Sequence, residues 1–147
     1  MNGKTILLIE DNPSDVELTK RALERGRVVN ELIVAWDGQE ALDYLQAKGE
    51  HAGRDVMKLP TLTLLDLKLP KVSGLEVLRQ IRTDPRTRRL PVVILTSSRE
   101  ERDLAAGYDL GVNSYISKPV DFQQFARSVE QIGLYWLLLN EPPPKTK

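Results

Sequence analysis

Short apolar runs recur along the chain, and each stops on polar residues: Ile6 to Ile9 before Glu10-Asp11, Leu32 to Trp36 before Asp37-Gly38, Leu62 to Leu65 before Asp66, Val92 to Leu95 before Thr96, and Tyr115-Ile116-Ser117 before Lys118-Pro119. Continuous apolar runs bounded by turn residues predict strands buried on both faces, the habit of parallel sheets. Segments with helical spacing lie between them. Asn12 as cap and Pro13 in the first turn start a helix that runs through Leu23 and closes near Gly26. Ala41, Leu42 and Leu45 mark a second helix, and Leu75, Leu78 and Ile81 a third that stops before Asp84-Pro85, because a pre-proline residue disfavours helix. A fourth is predicted from about Arg99 to Leu110, ending at Gly111, and a fifth from Asp121.

The strand ends fall near residues 9, 35, 65, 95 and 117, mostly close to the ~30 residues of one βαβ unit. Alternation of this kind predicts an α/β fold with a doubly wound, five-stranded parallel sheet and right-handed crossovers. Gly49 to Pro60 breaks the rhythm and reads as a polar surface loop, with His51, the sole histidine, in solvent. The basic run Arg86, Arg88 and Arg89 likewise reads as a solvated loop.

A length of 147 residues suits one domain. Residues 1–133 are expected to form it, with 134–147 an extension of the last helix and a short polar tail. Lys plus Arg and Asp plus Glu are equal at 21 each, so no general field attracts nucleic acid or anionic lipid, and DNA and membrane partners are not expected. The absence of cysteine excludes disulfides and thiolate chemistry and fits a reducing compartment. Met1 to Thr5 enters the first strand with no space for a signal peptide, and the longest apolar stretch, Leu134 to Leu139, is far too short to span a bilayer. A cytoplasmic protein is expected.

Ligands of open parallel sheets bind at the carboxyl ends of the strands. Side-by-side strands would bring Glu10, Asp11, Asp66, Thr96 and Lys118 to one crevice. Three carboxylates together repel, by roughly 4 kcal/mol per pair at about 4 Å and an effective dielectric near 20, so they require a cation or raised pKa values. Mg²⁺ answers simply, since it takes oxygen ligands from one or two carboxylates plus phosphate oxygens. The plainer alternative is that Glu10-Asp11 only complements the first helix dipole. Asp66, which interrupts an apolar strand at the same end of the sheet, weighs against that.

The fragments IEDN at Glu10-Asp11, TLLDLKLPKVSG around Asp66, ILTSS with Thr96 and SYISKPVD with Lys118-Pro119 resemble, in this order and spacing, the receiver domain of two-component response regulators. The resemblance covers about Lys4 to Gly133 and implies the flavodoxin-like (βα)5 receiver fold. It also implies that Asp66 accepts a phosphoryl group from a histidine kinase. Asp11 would ligate Mg²⁺ directly, Glu10 through water, and the Lys68 carbonyl would complete the protein ligands. Thr96 would bond a phosphoryl oxygen, Lys118 would pair with the phosphate, and the Lys118-Pro119 bond would be cis. Tyr115 matches the aromatic that turns inward when Thr96 moves. The chain departs from the common pattern in Glu10, where aspartate is usual, while Lys68 and Ser98 occupy positions that tune dephosphorylation in the family.

Phe122, Phe125, Val129, Ile132, Trp136 and Leu139 are spaced 3, 4, 3, 4, 3, one apolar seam along a helix. Trp136 and Leu139 lie beyond what covers the sheet, and Leu134, Tyr135, Leu137 and Leu138 make that end apolar all round. A second copy of the chain is the expected cover, giving a homodimer through Trp136, Leu137 and Leu139. The long loop and the tail are similar to those of stand-alone receivers paired with cyanobacterial and bacterial phytochrome kinases. Two other readings place Asp on a strand end or share the fold. An aspartate-nucleophile phosphohydrolase would need a second Asp at position 68, where Lys stands, and an FMN binder would find its phosphate repelled by Glu10-Asp11. A pseudo-receiver that only dimerises is disfavoured by the intact Asp66, Thr96 and Lys118. The expected protein is therefore a switch that catalyses only its own phosphotransfer and autodephosphorylation.

Overall fold

A computed structural model of the protein describes residues 5–25, 31–96, 108–112, 114–117, 127 and 131. Strand β1 (Thr5–Ile9) leads through helix α1 (Pro13–Arg25) to β2 (Glu31–Ala35) and α2 (Gly38–Gln46). A 3-10 turn at Gly49–His51 precedes β3 (Leu62–Leu65), followed by α3 (Gly74–Thr83), β4 (Val92–Thr96) and β5 (Ser114–Ser117). The strands form one five-stranded sheet in the order β2-β1-β3-β4-β5, with every neighbouring pair parallel. This is the doubly wound flavodoxin-like order, and its switch point lies between β1 and β3.

Strands β1, β3 and β4 are buried on both faces because helices cover both, whereas β2 at the sheet edge is half-buried. Leu7, Ile9, Leu65, Val92 and Ile94 pack with Ala41, Leu42 and Leu45 of α2 and Val77, Leu78 and Ile81 of α3. On the other face Ile6, Leu8, Leu62, Leu64, Val93 and Leu95 pack with Val16, Ala22 and Leu23 of α1. Caps fix where the helices begin. Asn12 Oδ1 accepts from Ser14 N–H at 2.8 Å and Asp15 N–H at 3.3 Å, Asp37 Oδ1 from Glu40 N–H at 2.7 Å, and Ser73 Oγ from Glu76 N–H at 3.2 Å. Helix α3 stops at Asp84, extended ahead of Pro85 as expected. The described part of the fourth expected helix is helical at Tyr108 and Asp109, and Gly111 follows in the left-handed region at φ 74°.

Strand β2 ends at Ala35, near the expected residue 35, where the Trp36 N–H is drawn to Glu40 Oε1 at 2.8 Å and the indole is 43% exposed. Two local readings need correction. The Gly49 to Pro60 segment, although on the surface, is not simply solvated. His51 sits edge-on to Tyr44, with ring centroids 5.3 Å apart and an 82° interplanar angle, and its Nε2 is buried 3.5 Å from Glu40 Oε2 without hydrogen-bond geometry. The Arg54 guanidinium lies 3.6 Å from the Tyr44 ring centroid and donates to the Tyr44 and Lys58 carbonyls. Arg86, read from sequence as solvated, donates to the Leu45 and Val56 carbonyls at 3.3 and 3.0 Å and pairs with Asp84 at 2.9 Å. These arginines hold main-chain oxygens, a use that leaves no pattern in a sequence.

Candidate functional site

Glu10 and Asp66 are the first residues beyond β1 and β3, and Ile9 and Leu65 are register partners, so the two acids leave adjacent strands side by side. The ladder continues through them: Asp66 N–H donates to the Ile9 carbonyl and Glu10 N–H to the Ala35 carbonyl, each at 3.0 Å. Carboxylate oxygens of Glu10, Asp11 and Asp66 all lie within 4.8 Å of one another. Glu10 and Asp66 are 2% and 8% exposed, whereas Asp11 faces solvent. Two buried anions and one at the rim, all hard oxygen donors, fit a small divalent cation bound at the mouth of the sheet. Main-chain donors orient the buried pair, with Lys68 N–H bonding Asp66 Oδ1 at 3.1 Å and Asn12 N–H bonding Glu10 Oε2 at 3.2 Å.

The loop after Asp66 is clamped against its neighbours. Gly74 N–H returns to the Leu67 carbonyl at 3.0 Å, and Gly38 N–H reaches the Pro70 carbonyl at 3.4 Å. A Cβ on Gly38 would meet the Val72 carbonyl oxygen at 2.1 Å, so glycine alone fits at the start of α2. Lys71 adopts φ 67° and places Nζ 3.4 Å from Asp37 Oδ2. An exposed ion pair contributes little by itself, but a left-handed lysine in the loop after Asp66 persists only where its surroundings determine the turn.

Of the residues singled out in the sequence, Glu10, Asp11 and Asp66 are brought together, and Lys68 stands in the loop directly beyond Asp66. Thr96 ends β4, the neighbour of β3 on the side away from β1, and is the register partner of Ser117. Tyr115 lies on β5 opposite Ile94. The side chains of Thr96 and Tyr115 lie outside the described residues, as do Lys118 with its bond to Pro119, Ser98, and the apolar end of the last helix with Trp136, Leu137 and Leu139. Sequence reasoning assigned Asn12 only a capping role and did not foresee its hold on Glu10. The signal was Pro13, which disfavours helical geometry at the residue before it.

A parallel sheet of this order with an acidic cluster at its β1–β3 switch point fits a phosphoryl-accepting switch domain. The chain belongs to the response regulator receiver domain family, whose model matches residues 6–130, and signals by phosphorylation in partnership with histidine kinases. Among its relatives, the probable methanogenesis regulatory protein FilR2 of Methanothrix harundinacea is 46% identical, over 94% of this chain and 86% of that protein. Response regulator Rcp1 of Synechocystis sp. is 40% identical, over 91% of this chain and 89% of that protein. The Mn²⁺-bound crystal structure of Rcp1 superposes with a TM-score of 0.88 at 39% identity, covering 96% of this chain and 99% of that one. The phosphorylated cyanobacterial phytochrome response regulator RcpA gives a TM-score of 0.89 at 41% identity, covering 97% and 100%. Among the described residues, no helix is long and apolar enough to cross a membrane.

Proposed function

We propose that this chain is a stand-alone receiver phosphorylated on Asp66 by a sensor histidine kinase of the phytochrome type. The observation that carries the reading is the convergence of Glu10, Asp11 and Asp66 within 4.8 Å at the switch point. Glu10, Asp11, Asp66 and the Lys68 carbonyl would hold Mg²⁺. The ion, when bound, supplies positive charge for the equatorial phosphoryl oxygens. An Asp66 carboxylate oxygen attacks phosphorus as the phosphorus–nitrogen bond of the donor phosphohistidine breaks, and the released imidazole takes a proton. Lys68 N–H, already bonded to Asp66 Oδ1, orients the nucleophile. Thr96 and Lys118 are assigned to the phosphoryl oxygens, and Tyr115 to the inward turn that reports the modified state. Similarity to Rcp1 and RcpA supports the phytochrome pairing. The apolar helix end supports a homodimer through Trp136, Leu137 and Leu139, with output through protein contacts in the cytoplasm rather than DNA.

Incubation with acetyl phosphate or phosphoramidate and Mg²⁺ tests this reading. Wild type gains the mass of one phosphoryl group and Asp66→Asn gains none. A gain in the variant, or none in wild type, contradicts the assignment. A chain truncated before Trp136 sediments as a monomer if the helix end carries the dimer. Sedimentation identical to the full chain rejects that contact.

A further inference from the structure

The acidic pair of this chain begins with a glutamate, one methylene longer than aspartate, and the extra length must go somewhere in a position only 2% exposed. It is taken up by a turn: Glu10 Oε2 folds back to accept the main-chain N–H of Asn12 at 3.2 Å. The same residue closes the first turn of α1, where Asn12 Oδ1 accepts from Ser14 and Asp15 N–H, and its carbonyl accepts from Val16 N–H at 3.0 Å. As the N-cap, Asn12 has no intrahelical acceptor for its own N–H, and Pro13 reinforces its non-helical geometry.

We infer that Asn12 is a positioning residue for the divalent-cation site: its side chain fixes the entry of α1, and its main-chain N–H thereby holds the longer carboxylate of Glu10 in place. This inference rests on the cation site proposed above. The N–H does two things for Glu10. It donates to the ionised carboxylate, favouring charge beside two other anions. It also ties one carboxylate oxygen, which fixes how the other is presented. Groups that orient a ligand without touching the ion commonly alter metal affinity by about 10- to 100-fold when removed. Asn12 contributes through a main-chain group set by a cap, so the lower end of that range applies.

The test is Mn²⁺ and Mg²⁺ affinity by titration calorimetry, with no phosphodonor present, on the full chain. Asn12→Ala loses the cap and binds about tenfold more weakly. Asn12→Ser, which caps as well and lacks the amide, restores wild-type affinity. In a Glu10→Ala background there is no carboxylate for the Asn12 N–H to hold, so Asn12→Ala changes affinity by less than about twofold. Circular dichroism and urea unfolding confirm that each variant is folded under the titration conditions. Wild-type affinity in Asn12→Ala overturns the inference. So does Asn12→Ser binding as weakly as Asn12→Ala, or an equal loss in both backgrounds. Failure of wild type itself to bind either ion overturns the cation site, a result distinct from all of these.

Discussion

Gly74 and Asp66 are in main-chain contact: a Cβ built on Gly74 would stand 2.4 Å from the Asp66 carbonyl oxygen and 2.5 Å from the Leu67 Cα. Both obstacles are backbone, so a substitution must displace the start of α3 or Asp66, the proposed phosphoacceptor. Gly74→Ala is expected to destabilise the fold by about 1–3 kcal/mol, as overpacking does, and to slow phosphorylation of Asp66. Urea unfolding with a parallel phosphodonor assay checks both. An unchanged midpoint and rate would show that the loop yields freely.

Removing one charge from the acidic cluster relieves repulsion. Asp66→Asn is expected to be more stable than wild type in chelator by about 1–3 kcal/mol, since relief of repulsion from buried Glu10 at ~4–5 Å and a dielectric near 20 outweighs the lost carboxylate acceptor, while solvent screens exposed Asp11. Mg²⁺ stabilises the native state that binds it, so the gap should close as Mg²⁺ is added. Thermal melts in chelator and across a Mg²⁺ series measure it. Parallel curves at all concentrations would mean that the carboxylates hold no ion.

Burial pushes the Tyr44 phenol above its ordinary range, while the Arg54 guanidinium works in the opposite direction and Glu31 adds to the rise. The folded state therefore holds the phenolic proton more tightly than the unfolded chain. This stabilising contribution is fully present below the unfolded phenol value near pH ~10 and is lost as pH rises through the higher folded value. Stability of wild type should fall across that alkaline window more steeply than that of Tyr44→Phe. Urea midpoints at a series of pH values compare the two, and equal slopes would refute the assignment.

Thr63 is fully buried in β3, between Leu7 and Val92, and its hydroxyl has no hydrogen-bond partner among the described residues. A buried hydroxyl left unpaired costs about 1–3 kcal/mol, and valine has nearly the same shape. Thr63→Val is expected to raise stability by about 1 kcal/mol with phosphorylation unaffected. Chemical denaturation reads the change, and a destabilised variant would mean that the hydroxyl is satisfied in solution.

Much of this was legible before any coordinates. Ile6 to Ile9, Leu62 to Leu65 and Val92 to Leu95 are apolar without alternation because helices cover both faces of the sheet, and parallel strands carry that signature. The acids were legible for a related reason, since Glu10 and Asp66 each end such a run, and register alone then sets them side by side. What the sequence hid is interaction through the main chain. Arg82 is one case: burial lowers its pKa, and its guanidinium donates to the carbonyls of Arg88, Leu90, Leu110 and Gly111, tying α3 to two later turns. Arg54 and Arg86 do the same for the 49–60 segment. Every residue offers a carbonyl, so no side-chain pattern marks which ones an arginine will find.

The central claim is that Asp66, and no neighbouring carboxylate, becomes the acyl phosphate. Reduction with borohydride converts an aspartyl phosphate to homoserine, leaving a permanent mark on the residue modified. Wild-type protein treated with phosphodonor and Mg²⁺, reduced, digested and sequenced by mass spectrometry should carry homoserine at position 66 and aspartate at position 11. Homoserine at position 11, a reduced side chain at Glu10, or an unmarked Asp66 in protein that has gained a phosphoryl group would contradict the account.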